Sequence, residues 1–247
     1  MIVDVNTSLG RWPFQNFDVD SAPALARHLH SAGIAKALVS SIDGILYPDP
    51  AVCNARLLKM VKLLPMLVPV PVINPVLANW RQALAARGLS AVKIMPNYHN
   101  YALADPAVAP LMRVLAGKRI PLMIQMRVDD ERNQYPLMKV PGVDWKAVVQ
   151  LANTFRDVPV VCLCAYRGEA LELVQRTGNV HVDIAFVETF RTLPALLRKV
   201  PPERILFGSH SPFLYTASAV MKLKTARLAA KAYKAIAWAN ARRLFKI

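Results

Sequence analysis

Residues 2–10 read IVDVNTSLG, a short β-branched run that gives way to a polar turn whose first glycine is Gly10. Ile2 to Asn6 is predicted as a β-strand, because β-branched side chains suit the pleated backbone. The turn after this strand decides between two parallel-sheet architectures. An open doubly wound sheet that holds a dinucleotide needs G-x-G-x-x-G there, so that the backbone can approach a pyrophosphate. Asn6-Thr7-Ser8-Leu9-Gly10 does not supply it.

Outward from this turn the chain repeats a strand-then-helix unit about every thirty residues. Further strands are predicted at Ala37 to Ser41, Leu67 to Ile73, Ala91 to Met95, Leu122 to Gln125, Val158 to Leu163, Val180 to Ile184 and Ile205 to Gly208. Predicted helices run near Ala24 to Ala32, Ala51 to Leu63, Leu77 to Arg87, Ala107 to Gly117, Asp144 to Phe155, Gly168 to Arg176, Glu188 to Val200 and Ala217 to Lys224, with a last one over Ala226 to Phe245. Prolines such as Pro69, Pro71, Pro121 and Pro159 lie in loops or near strand starts, where a missing amide donor matters least. Eight such units in 247 residues match a closed (β/α)₈ TIM barrel, which needs roughly 250. No linker or break in composition divides the chain, so residues 1–247 are read as one domain.

Hydrophobic residues make up 54% and charged residues 19%, ample material for a core and contrary to disorder. The apolar stretch from Leu63 to Ile73 is broken by prolines and is too short to span a membrane. The chain opens on its first strand without a basic leader and a long apolar stretch, so a cytoplasmic location is expected. Three cysteines are too few for a disulfide framework, and the Cys162/Cys164 pair lacks the second Cys/His pair of a zinc site. Reduced, buried thiols are expected.

The net charge of +15 favours an anionic substrate or partner. No acidic residue follows Glu203, whereas Arg204, Lys222, Lys224, Arg227, Lys231, Lys234, Arg242, Arg243 and Lys246 do. A solvated outer helix face accounts for this tail; contact with a phosphate-rich partner is the minor alternative. No interleaved aromatics mark a specific nucleic-acid site, and a homo-oligomer is compatible with the sequence.

Several stretches resemble the amidohydrolase-related family, a branch of the metal-dependent hydrolases that includes carboxylate decarboxylases and lactonases. Ile2 to Gly10 is similar to the family's first strand, which ends in D-x-H-x-H and a glycine. Gly88 to Pro96 (GLSAVKIMP) resembles its fourth strand, and Asp105-Pro106 with Pro110-Leu111 the opening of the next helix. Asn179 to Ile184 looks like the seventh strand, Pro202 to Ser209 the approach to the eighth, and Asn240 to Phe245 the terminal helix. The likeness spans almost the whole chain, and it implies a barrel with its site at the C-terminal ends of the strands.

The departures from the family pattern bear on chemistry. The two first-strand histidine positions hold Asn6 and Ser8, the fifth-strand histidine position holds Gln125, the sixth falls near Ala165 or Tyr166, and the eighth-strand aspartate position holds His210. Amides and hydroxyls bind transition metals weakly, so no catalytic metal and no other cofactor are expected. Some lactonases of the superfamily work without a metal, and this chain is similar in lacking the ligands.

Strand ends and the loops after them then define the candidate site. Asn6, Ser8, Arg11, Lys93, Gln125, Arg127, Asp130 and His210 are expected at one mouth, with Tyr98, His99 and Tyr101 walling it. His210 is the candidate general base, because imidazole accepts a proton near neutrality. Arg127 and Lys93 are candidate anchors for a carboxylate or a developing oxyanion. The function expected is metal-independent hydrolysis or lysis of a small anionic carbonyl, carboxylate or lactone substrate. A non-catalytic barrel that binds a metabolite or a protein partner is the alternative.

Overall fold

The computed structural model describes residues 1–86 and 88–247, and it closes eight parallel strands into the expected barrel. The strands are β1 (Val3–Leu9), β2 (Lys36–Ser41), β3 (Leu67–Pro69), β4 (Val92–Ile94), β5 (Leu122–Gln125), β6 (Val160–Leu163), β7 (Val180–Asp183) and β8 (Ile205–Leu206). All eight fall on predicted strands. They form two arcs, β1-β2-β3 and β4-β5-β6-β7-β8.

Two seams complete the ring. Between β8 and β1, Val5 N–H donates to Phe207 O (2.9 Å) and Ser8 N–H to Ser211 O (2.8 Å). Between β3 and β4, Lys93 N–H donates to Pro71 O (2.9 Å) and Ile73 N–H to Lys93 O (2.8 Å). Pro69 and Pro71 have no amide hydrogen, so the ladder on this seam is reduced to a bridge at Val72, and β3 ends earlier than the predicted Ile73.

Strand alternation sorts the side chains into layers. On β5, Leu122 and Ile124 face the helices while Met123 and Gln125 face the barrel interior. Val3, Val5, Leu38, Val70, Met123, Val161, Leu163 and Leu206 fill the lower interior, capped by Ala241 and Phe245. Inward polar residues gather above this layer, at the C-terminal ends of the strands; His181, in register with Val161 low on β7, is an exception. The barrel's apolar plug therefore provides a dry floor for whatever polar groups sit on it.

Most helices lie near their predicted ranges, including Ala22–Ser31, Ala51–Val61, Val108–Lys118, Trp145–Thr154, Arg167–Arg176 and Thr216–Thr225. Three differ. The helix predicted over Leu77 to Arg87 is a 3₁₀ turn at Trp80–Leu84, and its predicted end at Arg87 lies outside the described residues. Asn74 Oδ1 accepts from Val76 N–H and Asn79 Nδ2 donates to Asp49, so local side chains compete with helical bonding there. The helix predicted from Glu188 starts only at Thr192 and runs to Leu197, because Arg191 takes a left-handed conformation (φ 55°).

The last predicted helix is interrupted. A π-turn at Ala235–Ala239 separates Ala230–Lys234 from Asn240–Phe245. Its cause is the barrel: Ile236 O accepts from Phe207 N–H (3.1 Å), and Asn240 Nδ2 donates to Pro202 O and Ile205 O. The carbonyl that would continue the helix is engaged by the strand side. Lys224, Arg227, Lys231, Arg242, Arg243 and Lys246 of the basic tail are at least partly exposed, as expected of an outer face.

Cys53, Cys162 and Cys164 are free and buried. Among the described residues, no helix is long and apolar enough to cross a membrane.

Candidate functional site

A layer of buried polar residues caps the apolar plug. Asn6 projects from β1, Lys93 from β4, Gln125 from β5 and Asp183 from β7, each on an inward position at or near a strand end. Cys164 and His210 join them just beyond β6 and β8. Both adopt left-handed backbone, at φ 59° and 58°, a strained conformation for residues with a side chain that clusters at functional sites.

The layer is knit together by hydrogen bonds. Asn6 Nδ2 donates to Asp183 Oδ2 (2.7 Å) and to Cys164 Sγ (3.2 Å). Gln125 Nε2 donates to Arg127 O (2.7 Å) and to the same sulfur (3.2 Å). Asp183 Oδ1 accepts from Cys164 N–H at 2.9 Å. Gly208 leaves the space that the Asp183 carboxylate fills, since a Cβ there would lie 2.6 Å from Oδ2. Below, Asp4 Oδ1 accepts from the backbone N–H groups of Asn6 and Ser209, both at 3.0 Å.

Burial sets the charge states. It raises the carboxyl of Asp183 above its ordinary value and that of Asp4 to about 7, and it pushes the Cys164 thiol well up. Lys93, 1% exposed, is lowered to about 8 by the same desolvation, opposed by the acidic groups of Cys164, Asp183 and Asp4 nearby. Its ammonium has no hydrogen-bond or ion-pair partner among the described residues.

His210 is 2% exposed, and desolvation lowers its imidazole to about 3. Its Nε2–H donates to Val128 O (2.7 Å), which leaves Nδ1 facing Asn6 Oδ1 at 3.4 Å. The ring stacks on Phe213 at 4.8 Å, with 13° between the planes.

Neutral burial of these rings makes stability depend on pH. The folded imidazole of His210 (about 3) and that of His181 (about 4) both lie below the ordinary 6.5, so the unfolded chain takes up protons first as pH falls. Their contribution is complete above about 6.5 and is lost as pH drops toward the folded values, while Asp4, raised to about 7, acts in the opposite sense. In denaturant titrations at pH 7 and pH 5, the wild type should lose about 2 kcal/mol more than His210→Asn, whose asparagine tolerates left-handed backbone. Equal losses would show that the ring is not held neutral.

Arg127 lies beneath the mouth rather than in it. Its guanidinium donates to Glu169 through Nη1 (2.7 Å) and Nη2 (2.6 Å), to Cys164 O (2.6 Å) and to Glu131 (3.3 Å). The Tyr166 ring covers it at 3.7 Å. Neighbouring Asp130 accepts from Arg132 and from the Tyr166 hydroxyl, and these donors hold its carboxyl well below the usual range.

Above the layer opens a cavity of about 630 Å³. Trp12, Tyr98, Tyr135, Phe186 and Phe213 give it an aromatic wall, and Asp129, Asp130 and Glu188 are its charged lining residues. Val128, Ala185, Phe186 and Phe213 separate it from the polar layer. Edge-to-face contacts run from Phe14 through Trp12 to Phe213, whose ring stacks on His210, with Phe186 beyond. The His210–Phe213 stack lies in this barrier.

Of the residues singled out in the sequence, the structure brings Asn6, Lys93, Gln125 and His210 into one layer, with Ser8 buried on the same strand as Asn6 and Arg127 alongside. Tyr98 and Asp130 line the cavity. Arg11 does not join them; it is exposed and borders a separate hollow with Asp20, Asp43 and Arg56. His99 is engaged elsewhere, with Nε2 2.9 Å from Gly44 O, and Tyr101 packs into the strand–helix core. Asp183, Cys164 and Glu169 belong to the site although the sequence reading does not single them out. The V-H-V-D alternation of residues 180–183 carries the signal for Asp183, since two valines facing helices put the aspartate inside.

The positions that resemble a metal site do not fit a catalytic ion. Asn6 and Gln125 direct their N–H₂ groups, which cannot coordinate a cation, at Asp183, Cys164 and Arg127 O. The Nε2 of His210 is held by Val128 O. Among the described residues, no three His, Cys, Asp or Glu side chains cluster so as to share an ion.

A family model described as amidohydrolase matches residues 53–247. Solved structures share the architecture along the whole chain. A 2,6-dihydroxybenzoate decarboxylase from Rhizobium superposes with a TM-score of 0.77 at 14% identity, covering 99% of this chain and 98% of that one. A 5-carboxyvanillate decarboxylase from Sphingomonas paucimobilis gives 0.74 at 16% identity, covering 100% and 99%. A dihydroxybenzoic acid decarboxylase from Polaromonas sp. JS666, with bound manganese and the inhibitor 2-nitroresorcinol, gives 0.79 at 13% identity, covering 99% and 96%. No curated protein sequence matches. At these identities the likeness is one of fold.

Proposed function

We propose, from the premise that this chain belongs to the amidohydrolase family, that it is a hydrolase or lyase of a small carbonyl, carboxylate or lactone compound, working without a catalytic metal. Lys93 carries the proposal. A buried ammonium is ordinarily paired, because its desolvation is otherwise uncompensated. Lys93 is buried at a strand end with no bonded partner among the described residues, beneath a cavity of small-molecule size. A fixed cation there stabilises negative charge that appears on a substrate oxygen, a role that the family otherwise gives to a metal.

The other residues take supporting roles. The aromatic cavity holds the body of the substrate, and displacement of the His210–Phe213 stack admits its carbonyl to the polar layer. Asn6 and Gln125 orient that carbonyl or a water molecule, while Ser8 lies within the same buried rim. His210 accepts a proton through Nδ1, the nitrogen that Val128 leaves unengaged. Its lowered basicity restricts this step to the opened state, in which water reaches the ring.

One observation favours the alternative of a binding barrel without turnover: Asn6, Gln125 and His210 are all engaged with protein partners in the closed structure. The two readings separate in a screen of chelator-treated protein against aryl lactones and aromatic carboxylates, followed by acid or CO₂ release. Turnover that is indifferent to chelator is expected. Turnover only after added manganese or zinc would defeat metal independence, and saturable binding without product would establish the binding barrel.

A further inference from the structure

The cavity's own charge runs against that of the chain. The protein has 31 basic and 16 acidic residues, yet the charged side chains lining the cavity are Asp129, Asp130 and Glu188. Two of these are neutralised locally, Asp130 by Arg132 and Glu188 by Lys222. Asp129 is not. Among the described residues its carboxylate has no hydrogen-bond donor and no cation, and Arg127 two residues earlier is engaged by Glu169 and Glu131.

We propose that Asp129 and the cavity-lining rings of Trp12, Tyr98, Tyr135 and Phe213 form a subsite for an organic cation, so that the substrate bears a protonated or quaternary nitrogen at the end opposite its carbonyl. A carboxylate half-buried among apolar rings is poorly solvated, and a neutral ligand would worsen this by displacing its water. An anionic group would be repelled. A cationic nitrogen restores the lost solvation and interacts favourably with aromatic faces, whose π-clouds carry negative charge.

This subsite deepens the proposed function, on which it rests for the identity of the cavity as the substrate pocket. Lys93 below and Asp129 above then form two poles of opposite sign, separated by an aromatic wall that suits a planar body. The substrate class is a small zwitterionic or amine-bearing aromatic carbonyl compound. The outward pole selects the substrate, and the inward pole acts on it.

Binding of three probes by calorimetry tests the subsite without requiring turnover. Phenyltrimethylammonium should bind the wild type more tightly than benzyl alcohol or benzoate, and Asp129→Asn should weaken it by about tenfold while leaving benzyl alcohol unchanged or tighter. Trp12→Leu should also weaken the cation. Repeating the titration in Lys93→Met separates the two readings, because cation binding should persist there even though the inward pole is gone. A tighter complex with benzoate than with the cation, no saturable cation binding, or equal cation affinity in wild type and Asp129→Asn would each overturn the proposal. A protein that binds the cation through Asp129 yet turns over no carbonyl compound would instead defeat the enzymatic reading and leave the subsite standing.

Discussion

Lys93→Met is expected to lower kcat/KM by about 10² to 10³, the range seen when a single oxyanion-stabilising group is removed from an enclosed site. Methionine preserves the length and the apolar contacts of the side chain, so the loss reports the charge. Folding should be little affected: the ammonium's desolvation disappears, while Asp4 and Asp183, already raised by burial, take up a proton when their cation is gone. The pH profile sharpens the test. The active form is the protonated amine, so kcat/KM should fall as pH rises through about 8, where burial has brought Lys93. Lys93→Arg, which keeps its proton at any working pH, should lose this alkaline limb. Full turnover in Lys93→Met, or an alkaline limb that survives in Lys93→Arg, would remove Lys93 from the mechanism.

Arg127→Met is expected to destabilise the fold by about 3 to 5 kcal/mol, as when one member of a buried ion pair is deleted. The sequence suggests an anchor for substrate, but the guanidinium holds the loops after β5 and β6 together. It is 3% exposed and donates to both oxygens of Glu169, to Cys164 O and to Glu131, while Tyr166 stacks on its face. Removing it leaves Glu169 facing a buried carbonyl without a cation between them. The planar fork makes these contacts at once, so Arg127→Lys should recover only a minor part of the loss. Denaturant unfolding of the three proteins measures this directly. A midpoint unchanged in Arg127→Met, combined with weaker substrate binding, would return the residue to the role the sequence suggests.

The aromatic barrier between cavity and polar layer links these expectations. Phe213 belongs to the cavity wall on one side and to the His210 stack on the other. In the proposed function, this side-chain pair is where substrate binding and access to Lys93 are coupled. A ligand that only fills the outer cavity leaves the layer closed.

How far the sequence reaches differs from residue to residue. Eight strands are legible because β-branched runs recur between helical segments, and the missing glycine-rich turn at Asn6 to Gly10 excludes the open sheet. The residues at the strand ends are legible for the same reason. Once strands are placed in a barrel, Asn6, Lys93, Gln125 and His210 must rise toward one mouth. Helix ends are less so, since the carbonyl of Ile236 is taken by Phe207 of a distant strand and Arg191 turns left-handed in its local setting.

Residue type and periodicity are enough for the barrel, while the resemblance of local stretches to the family implies the replacement of histidines by Asn6, Ser8 and Gln125 and the family model shows the membership. These are local properties of the chain. The use of each polar group is settled only in three dimensions. Arg127 becomes a structural cation because Glu169, 42 positions away, meets it in space, and Lys93 ends near Cys164, Asp183 and Asp4 without a hydrogen bond to any of them. Asp129 lines a cavity assembled from segments after β1, β2, β4, β5, β7 and β8. Pairing and desolvation depend on which groups meet when the chain closes, and the spacing of residues along the chain does not encode that.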